Sequence, residues 1–140
     1  MEKTWQSGWI TAEAFAKLEP IPVLRKARQK AEPSAHREEL KHHHMLVRKT
    51  FSVKKPAESA WIDLTADDYY KLYVNGEFVG QGPAQGYADA YPYNRYDLSG
   101  RLRPGENTVA VHVYYQGLIN RAYQSGDYKE CSRRYGWTAS

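Results

Sequence analysis

Cysteine and long apolar runs are scarce in this chain of 140 residues. Cys131 is the only cysteine, so no disulfide can form within the chain, which is usual for a protein of a reducing compartment. The first thirty residues contain no apolar run of the length that a signal peptide or a membrane span requires. We therefore expect a cytoplasmic protein with no membrane partner.

A large excess of one charge is also missing, because 20 Lys and Arg stand against 16 Asp and Glu, which gives a net charge of +4. The densest basic stretch, residues 24–30, lacks the interleaved aromatic residues of RNA-binding sheets. Gly-rich phosphate-binding and dinucleotide-binding fingerprints are absent as well. We expect this stretch to be a solvated face, and we expect neither a nucleic-acid partner nor a cofactor.

Alternating strands joined by tight turns are the strongest positive signal. Tyr70, Leu72 and Val74 alternate with polar or aromatic neighbours, and Asn75-Gly76 then has the composition of a type I′ hairpin turn. Further along, Thr108 to Tyr115 alternates again after a turn at residues 102–107. Regular short strands of this kind predict an all-β, jelly-roll-like antiparallel β-sandwich. The core is predicted to contain six side chains: Phe51, Leu72, Val74, Val109, Val111 and Val113.

Composition divides the chain into three parts. Residues 1–44 are rich in Lys, Glu and Ala and predict an irregular arm with short helical turns, at Thr11 to Leu18 and Ser34 to Lys41. Residues 45–127 contain the alternating strands and form the predicted sandwich, with a loop from Gln81 to Ala90 and a strand from Tyr91 to Leu98. Residues 128–140 lack alternation and form an atypical tail, so the sandwich is predicted to be incomplete.

Several short motifs resemble the N-terminal region of bacterial α-L-rhamnosidases. The matching segments are Trp5, Trp9-Ile10 and residues 43–51, 70–76, 82–83, 96–98 and 102–111. The resemblance extends over about residues 5–127 and is shared with jelly-roll domains of other glycoside hydrolases. It implies that two catalytic carboxylates lie in a helical barrel outside this chain. The expected function is therefore that of a non-catalytic accessory domain or fragment, which packs on that barrel and shapes access to it.

A tyrosine-rich cluster supports an alternative function as a free-standing carbohydrate-binding module. Sugar sites combine aromatic platforms with planar polar groups, and jelly rolls also serve as lectin domains. Rhamnose-containing glycans are the ligands that the resemblance suggests. The alternative is that these tyrosines pack against a neighbouring sheet or domain. The candidate carbohydrate-binding residues are Tyr87, Asp89, Tyr91, Tyr93 and Arg95, with Tyr96 and Asn94 beside them.

Catalytic and metal sites are not predicted for this chain. Inverting glycosidases need two carboxylates about 6.5–9.5 Å apart, but most aspartates here fall in turns, and Asp97 and Glu106 are interpreted as structural. His42 and His44 would share a face of a strand and supply two metal ligands, where a catalytic zinc generally requires three. His36 or His112 could complete such a set only if the fold happened to bring one of them close, and nothing in the sequence indicates that it does.

An incomplete sandwich would leave strand edges and apolar surface exposed. Such edges pair readily with another copy of the same chain. We therefore expect a homo-oligomer that forms through exposed strand edges.

Overall fold

The structure is a computed structural model, and it describes residues 5, 7–13, 42–84, 92–116, 119–120, 123–124 and 136–139. All the secondary-structure elements in this part of the chain are β-strands. They are β1 (His43–Val53), β2 (Trp61–Asp67), β3 (Tyr69–Val74), β4 (Glu77–Gly82), β5 (Asn94–Asp97), β6 (Gly105–Tyr115), β7 (Ile119–Asn120), β8 (Tyr123–Gln124) and β9 (Gly136–Ala139). The predicted helical turns of the arm lie almost entirely outside the described residues.

Two antiparallel sheets form the sandwich. The larger sheet has the strand order β1-β6-β3-β4, and the smaller has the order β5-β2-β9. Strands β7 and β8 form a separate two-stranded ribbon. The buried core lies between the two main sheets and consists of Ile62, Leu64, Ala66, Tyr70, Leu72, Val74, Leu98, Val111 and Val113. This arrangement confirms the predicted all-β sandwich.

The hairpin between β3 and β4 has the predicted tight turn. Tyr70, Leu72 and Val74 are buried, whereas Lys71 is exposed, so β3 alternates as expected. Asn75 and Gly76 have φ values of 51° and 86°, and a type I′ turn requires positive φ at both positions. The Asn75 backbone N–H also donates to the Thr108 carbonyl at 2.8 Å, which joins the turn to β6.

Asn107 connects the second predicted turn to the first. This side chain is buried, and its Oδ1 accepts from the Arg103 N–H and from Asn75 Nδ2, both at 2.9 Å. Its Nδ2 donates to the carbonyls of Arg103 at 2.7 Å and Gly105 at 3.1 Å. The Asn-Gly turn and the Gly-Glu-Asn turn therefore form one hydrogen-bonded unit at one end of the larger sheet.

The predicted core is correct at four of its six positions, because Leu72, Val74, Val111 and Val113 are buried. Val109 is only partly buried and packs against the core, and Phe51 is half-buried and lies outside the core cluster. The reason for the error at Phe51 is that β1 lies at one side of its sheet, beyond β6. A strand in that position has less of the opposing sheet to cover it.

Several strand boundaries differ from the predicted ones, and β6, for example, begins at Gly105 where Thr108 was predicted. Gln81 and Gly82 belong to β4, and the predicted loop therefore begins later. Strand β5 spans only Asn94–Asp97 of the strand expected from Tyr91 to Leu98. Strand β2 spans Trp61–Asp67, where the alternation predicted a strand from Ala60 to Thr65. Every residue from Ile62 to Asp67 is buried, so both faces of this strand are covered. Such burial is usual for a central strand, and β2 lies between β5 and β9.

Residues 136–139 of the predicted tail form β9. This strand pairs antiparallel with β2, with Ala139 opposite Leu64 and Gly136 opposite Asp67. The division at residues 44 and 127 stays a prediction.

Candidate functional site

Two of the five predicted carbohydrate-binding residues, Tyr93 and Arg95, lie in the described part of the chain. Tyr93 directly precedes β5, and 41% of its surface is exposed. Its ring meets the ring of Trp5 edge to face, with centroids 5.6 Å apart. Tyr87, Asp89 and Tyr91 lie outside the described residues, so their assignment to a site stays a prediction.

Arg95 is held by a buried carboxylate on the neighbouring strand. Its Nε and Nη2 donate to Asp63 Oδ1 and Oδ2 at 2.6 and 2.8 Å, and the two residues are register partners in the β2–β5 pair. Asp63 is fully buried, and the hydrogen bonds to it, together with its negative charge, raise the pKa of Arg95. Two of the five N–H donors of Arg95 are thereby occupied, and the guanidinium plane is fixed.

Trp61 completes a surface that the sequence analysis did not assign to a site. The Arg95 guanidinium lies 5.6 Å from the centroid of the Trp61 ring, a cation–π distance, and Trp61 is 54% exposed. We call Trp61, Tyr93 and Arg95 the tryptophan–arginine patch. Strand alternation predicts which face each residue occupies, but the register of β2 against β5 was needed to bring Trp61 to Arg95.

Asn94 and Tyr96 point the other way and link the two sheets. The Tyr70 hydroxyl of β3 lies 3.0 Å from both Asn94 Oδ1 and the Tyr96 hydroxyl. The Tyr96 hydroxyl also donates to the Gln81 carbonyl at 3.0 Å. Burial, and then the contact with Tyr96, raises the pKa of Tyr70 far above its usual value, so this hydroxyl stays protonated. The side of β5 that carries Tyr96 therefore has a structural role, because its hydrogen bonds link the two sheets.

A groove of about 550 Å³ lies at the edge of this network. Residues of both sheets line it, because β1, β3, β4 and β6 of the larger sheet contribute residues and β5 of the smaller sheet contributes Asn94. The polar and aromatic residues of the larger sheet in this groove are His44, Tyr69, Tyr70, Lys71, Gln81, His112 and Tyr114. Only their positions on separate strands, and not any local motif, bring them together.

Histidines and a tyrosine form a cluster at one wall of the groove. His44 Nδ1 lies 2.8 Å from His112 Nε2, and the His44 ring stacks on Tyr114 with centroids 4.9 Å apart. His42 Nδ1 is hydrogen-bonded to the Tyr114 hydroxyl. Among the described residues, no group of three His, Cys, Asp or Glu side chains is placed to hold a metal ion. His36 lies outside those residues.

Asp97 is engaged in a turn. Its Oδ1 accepts from the N–H of Ser99 at 2.8 Å and from the Ser99 hydroxyl at 2.6 Å. These two hydrogen bonds lower the pKa of the Asp97 carboxyl below its usual value. A carboxylate held in its ionised form in this way is suited to fixing a turn, and it is poorly suited to donate a proton as a general acid.

Comparison with known proteins identifies the family. A family described as "Alpha-L-rhamnosidase N-terminal domain" matches residues 55–139, which is more than half of the chain. This chain belongs to that family. The match passes beyond residue 127 and includes β9, so the rhamnosidase N-terminal domain extends further along the chain than the motifs alone indicated.

Solved structures of two rhamnosidases contain a similar domain. The GH78 rhamnosidase of Bacillus sp. GL1 is 30% identical over 99% of this chain, with a TM-score of 0.68. The α-L-rhamnosidase of Aspergillus terreus is 26% identical over 76% of this chain, with a TM-score of 0.50. The chain spans only 12% of the length of either enzyme. No curated protein sequence matches the chain.

The described part of the chain contains no helix that is both long and apolar enough to cross a bilayer.

Proposed function

We propose that this domain is a non-catalytic accessory unit of an α-L-rhamnosidase-like glycoside hydrolase. In this proposal it packs on a catalytic barrel outside this chain and shapes access to that barrel. The observation that carries the proposal is the family match over residues 55–139, together with the 12% share of the two rhamnosidases that the chain spans. The hydrolytic activity belongs to the parent protein in this proposal, and the domain contributes packing.

The first test is turnover by the isolated chain. The purified chain is incubated with an aryl α-L-rhamnoside, and release of the aryl group is followed. We expect no turnover above that of a boiled sample. Turnover that survives further purification and is lost when one aspartate is replaced by asparagine would overturn the non-catalytic assignment.

The second test addresses the catalytic partner. An antibody raised against the chain is used to isolate the polypeptide that carries it from the source organism, and this material is assayed and sequenced by mass spectrometry. We expect rhamnosidase activity together with peptides of a catalytic barrel. Recovery of the 140-residue chain alone, without activity, would overturn the accessory role.

A free-standing carbohydrate-binding module is the second candidate. The tryptophan–arginine patch favours it, because an exposed indole, an exposed tyrosine ring and a fixed guanidinium lie together on one face. Rhamnose-containing glycans would be the ligands. Tyr93→Ala should then remove the affinity for a rhamnoside and leave the melting temperature close to that of the original chain, whereas the exposed Thr50→Ala should change neither. Unchanged affinity in Tyr93→Ala would exclude this candidate at the patch.

Two further properties stay predictions at this point. We propose a homo-oligomer formed through strand edges, and we propose a cytoplasmic location because Cys131 is the only cysteine.

A further inference from the structure

The groove carries positive charge where the outer face of the larger sheet lines it. Lys71 of β3 and His112 of β6 are register partners, and His44 of β1 lies 2.8 Å from His112. None of the described residues that line the groove is acidic, and no carboxylate in the described part of the chain forms an ion pair with Lys71. Asp68, close by in sequence, accepts the Gln116 N–H at 2.8 Å. Among the described residues, the groove therefore has an ammonium group with no carboxylate partner beside two imidazoles.

The titration of His112 reflects this charge. Burial, and then the positive charges of His44 and Lys71, lower the pKa of His112 below its usual value. The groups that face His112 are His44 from β1, Tyr69 and Lys71 from β3, and Tyr114 on its own strand. A bound anion would counteract the two positive charges and favour the protonated imidazole. Binding of an anion would thus be coupled to uptake of a proton.

The remaining walls are suited to a sugar ring. The rings of Tyr69 and Tyr114 line the groove and supply aromatic surface. The side chain of Gln81, the register partner of Lys71, also lines the groove, and so does Asn94 of the smaller sheet. Asn94 Oδ1 accepts from Tyr70, and this orientation leaves its amide N–H groups as donors. A Cβ at Gly82 would lie 2.4 Å from Asn94 Oδ1, so glycine at this position is needed for Asn94 to occupy the wall.

We propose that this groove binds a sugar ring that bears a carboxylate, that is, a uronic-acid residue. Lys71 and the protonated His112 would hold the carboxylate, and the amides of Gln81 and Asn94 would bind ring hydroxyls. A groove of about 550 Å³ is within the usual size range of small-molecule sites. This proposal goes beyond the accessory role and uses different residues from the tryptophan–arginine patch.

The test is a titration of the chain with three probes, D-glucuronate, D-glucose and acetate, followed by calorimetry or amide chemical shifts. We expect glucuronate to bind about tenfold or more tightly than glucose, because only glucuronate places a charged acceptor against Lys71. Acetate should bind more weakly than glucuronate, because it lacks the ring. Equal binding of glucose and glucuronate, equal binding of acetate and glucuronate, or binding of no probe would each overturn the proposal.

Two variants locate the site. Lys71→Gln should weaken glucuronate binding about tenfold or more, whereas Lys49→Gln, at an exposed lysine of β1, should leave it unchanged. Between about pH 8 and about pH 6, glucuronate affinity should rise as pH falls, and the double substitution His44→Gln/His112→Gln should remove this rise. An unaltered affinity in Lys71→Gln, or a pH dependence that persists in the double variant, would contradict the assignment. The turnover and co-isolation experiments test the accessory role independently of these results.

Discussion

Asn107 shows how one amide joins two sequence motifs that are 32 residues apart. It is buried, and all four of its hydrogen bonds go to the two turns. Asn107→Ala would leave the partners in those turns unsatisfied, so we expect the free energy of unfolding to fall by about 2 kcal/mol or more. Urea denaturation measures this change, with Ser52→Ala, on an exposed position of β1, as the control. A loss no larger than that of the control would contradict the role assigned to Asn107.

Space does not require glycine at position 76, because a Cβ there would meet nothing within 4 Å. The backbone conformation requires it. Its φ of 86° is unfavourable for a β-branched residue, so Gly76→Val should reduce the free energy of unfolding by about 1 kcal/mol or more. Gly100 is the matched control, because it is also exposed with open space around it and has no positive φ. Equal melting temperatures for Gly76→Val and Gly100→Val would argue against the type I′ turn.

The buried Asp63 carboxylate is paired with Arg95, and we expect the stability of the fold to depend on this pairing. Arg95→Met removes the guanidinium from a fully buried carboxylate, so we expect the melting temperature to fall by several degrees. The double variant Asp63→Asn/Arg95→Met removes the charge as well and should recover part of this loss. The melting temperatures of both variants are measured by thermal unfolding and compared. If the double variant is less stable than Arg95→Met alone, the ion pair is not the cause of the loss.

At the scale of the element, the local sequence pattern correctly predicted the strands whose residues alternate between buried and exposed. It did not predict the burial of strands for which burial depends on their place in a sheet. Strand β3 and the core side of β6 followed their period of two, and the Asn75-Gly76 turn followed from residue type. Strand β2 is buried on both faces because it is central, and β1 is half-buried because it lies at one side. The order of strands in a sheet is set by long-range pairing, which a single sequence does not reveal.

The same limit applies to the candidate site. Tyr93 and Arg95 were predicted because tyrosines and polar groups cluster locally in the sequence. The partner of Arg95 is Asp63, which the register of β2 against β5 brings opposite it. The groove takes His44, Lys71 and His112 from three strands, so no contiguous segment carries its signature. Patterns within one strand were therefore predictable, and contacts between strands were not.

The two faces of β6 provide the sharpest test of the fold at this scale. Val111 is buried in the core, whereas its neighbour Ala110 lies on the opposite face, across from Arg48 of β1. Val111→Asp would place an unpaired carboxylate in the core at a cost of several kcal/mol, so we expect it to abolish cooperative folding. Ala110→Asp should fold, because its carboxylate would face Arg48. Thermal unfolding of both variants is followed by circular dichroism. A cooperative transition of Val111→Asp at a temperature near that of the original chain would refute the assignment of this strand.

For the whole molecule, the eleven-residue strand β1 at one side of the larger sheet is the basis for expecting self-association. Strands in such positions present backbone groups that can pair with a second copy, and Leu46 on β1 is 78% exposed. We expect a dimer whose fraction increases with protein concentration. Light scattering coupled to size-exclusion chromatography over a dilution series measures this fraction.

Leu46→Lys tests whether β1 mediates this association. A charge at that position would repel the same residue of a second copy and oppose burial in an interface, so the dimer fraction should fall at every concentration. Thr50→Lys adds the same charge at an exposed position of β1 but removes no exposed apolar side chain, so it should have a smaller effect. A monomer at all concentrations would contradict the oligomer. A dimer equally insensitive to both substitutions would place the interface on another surface, because pairing through β1 brings these side chains close to the partner copy.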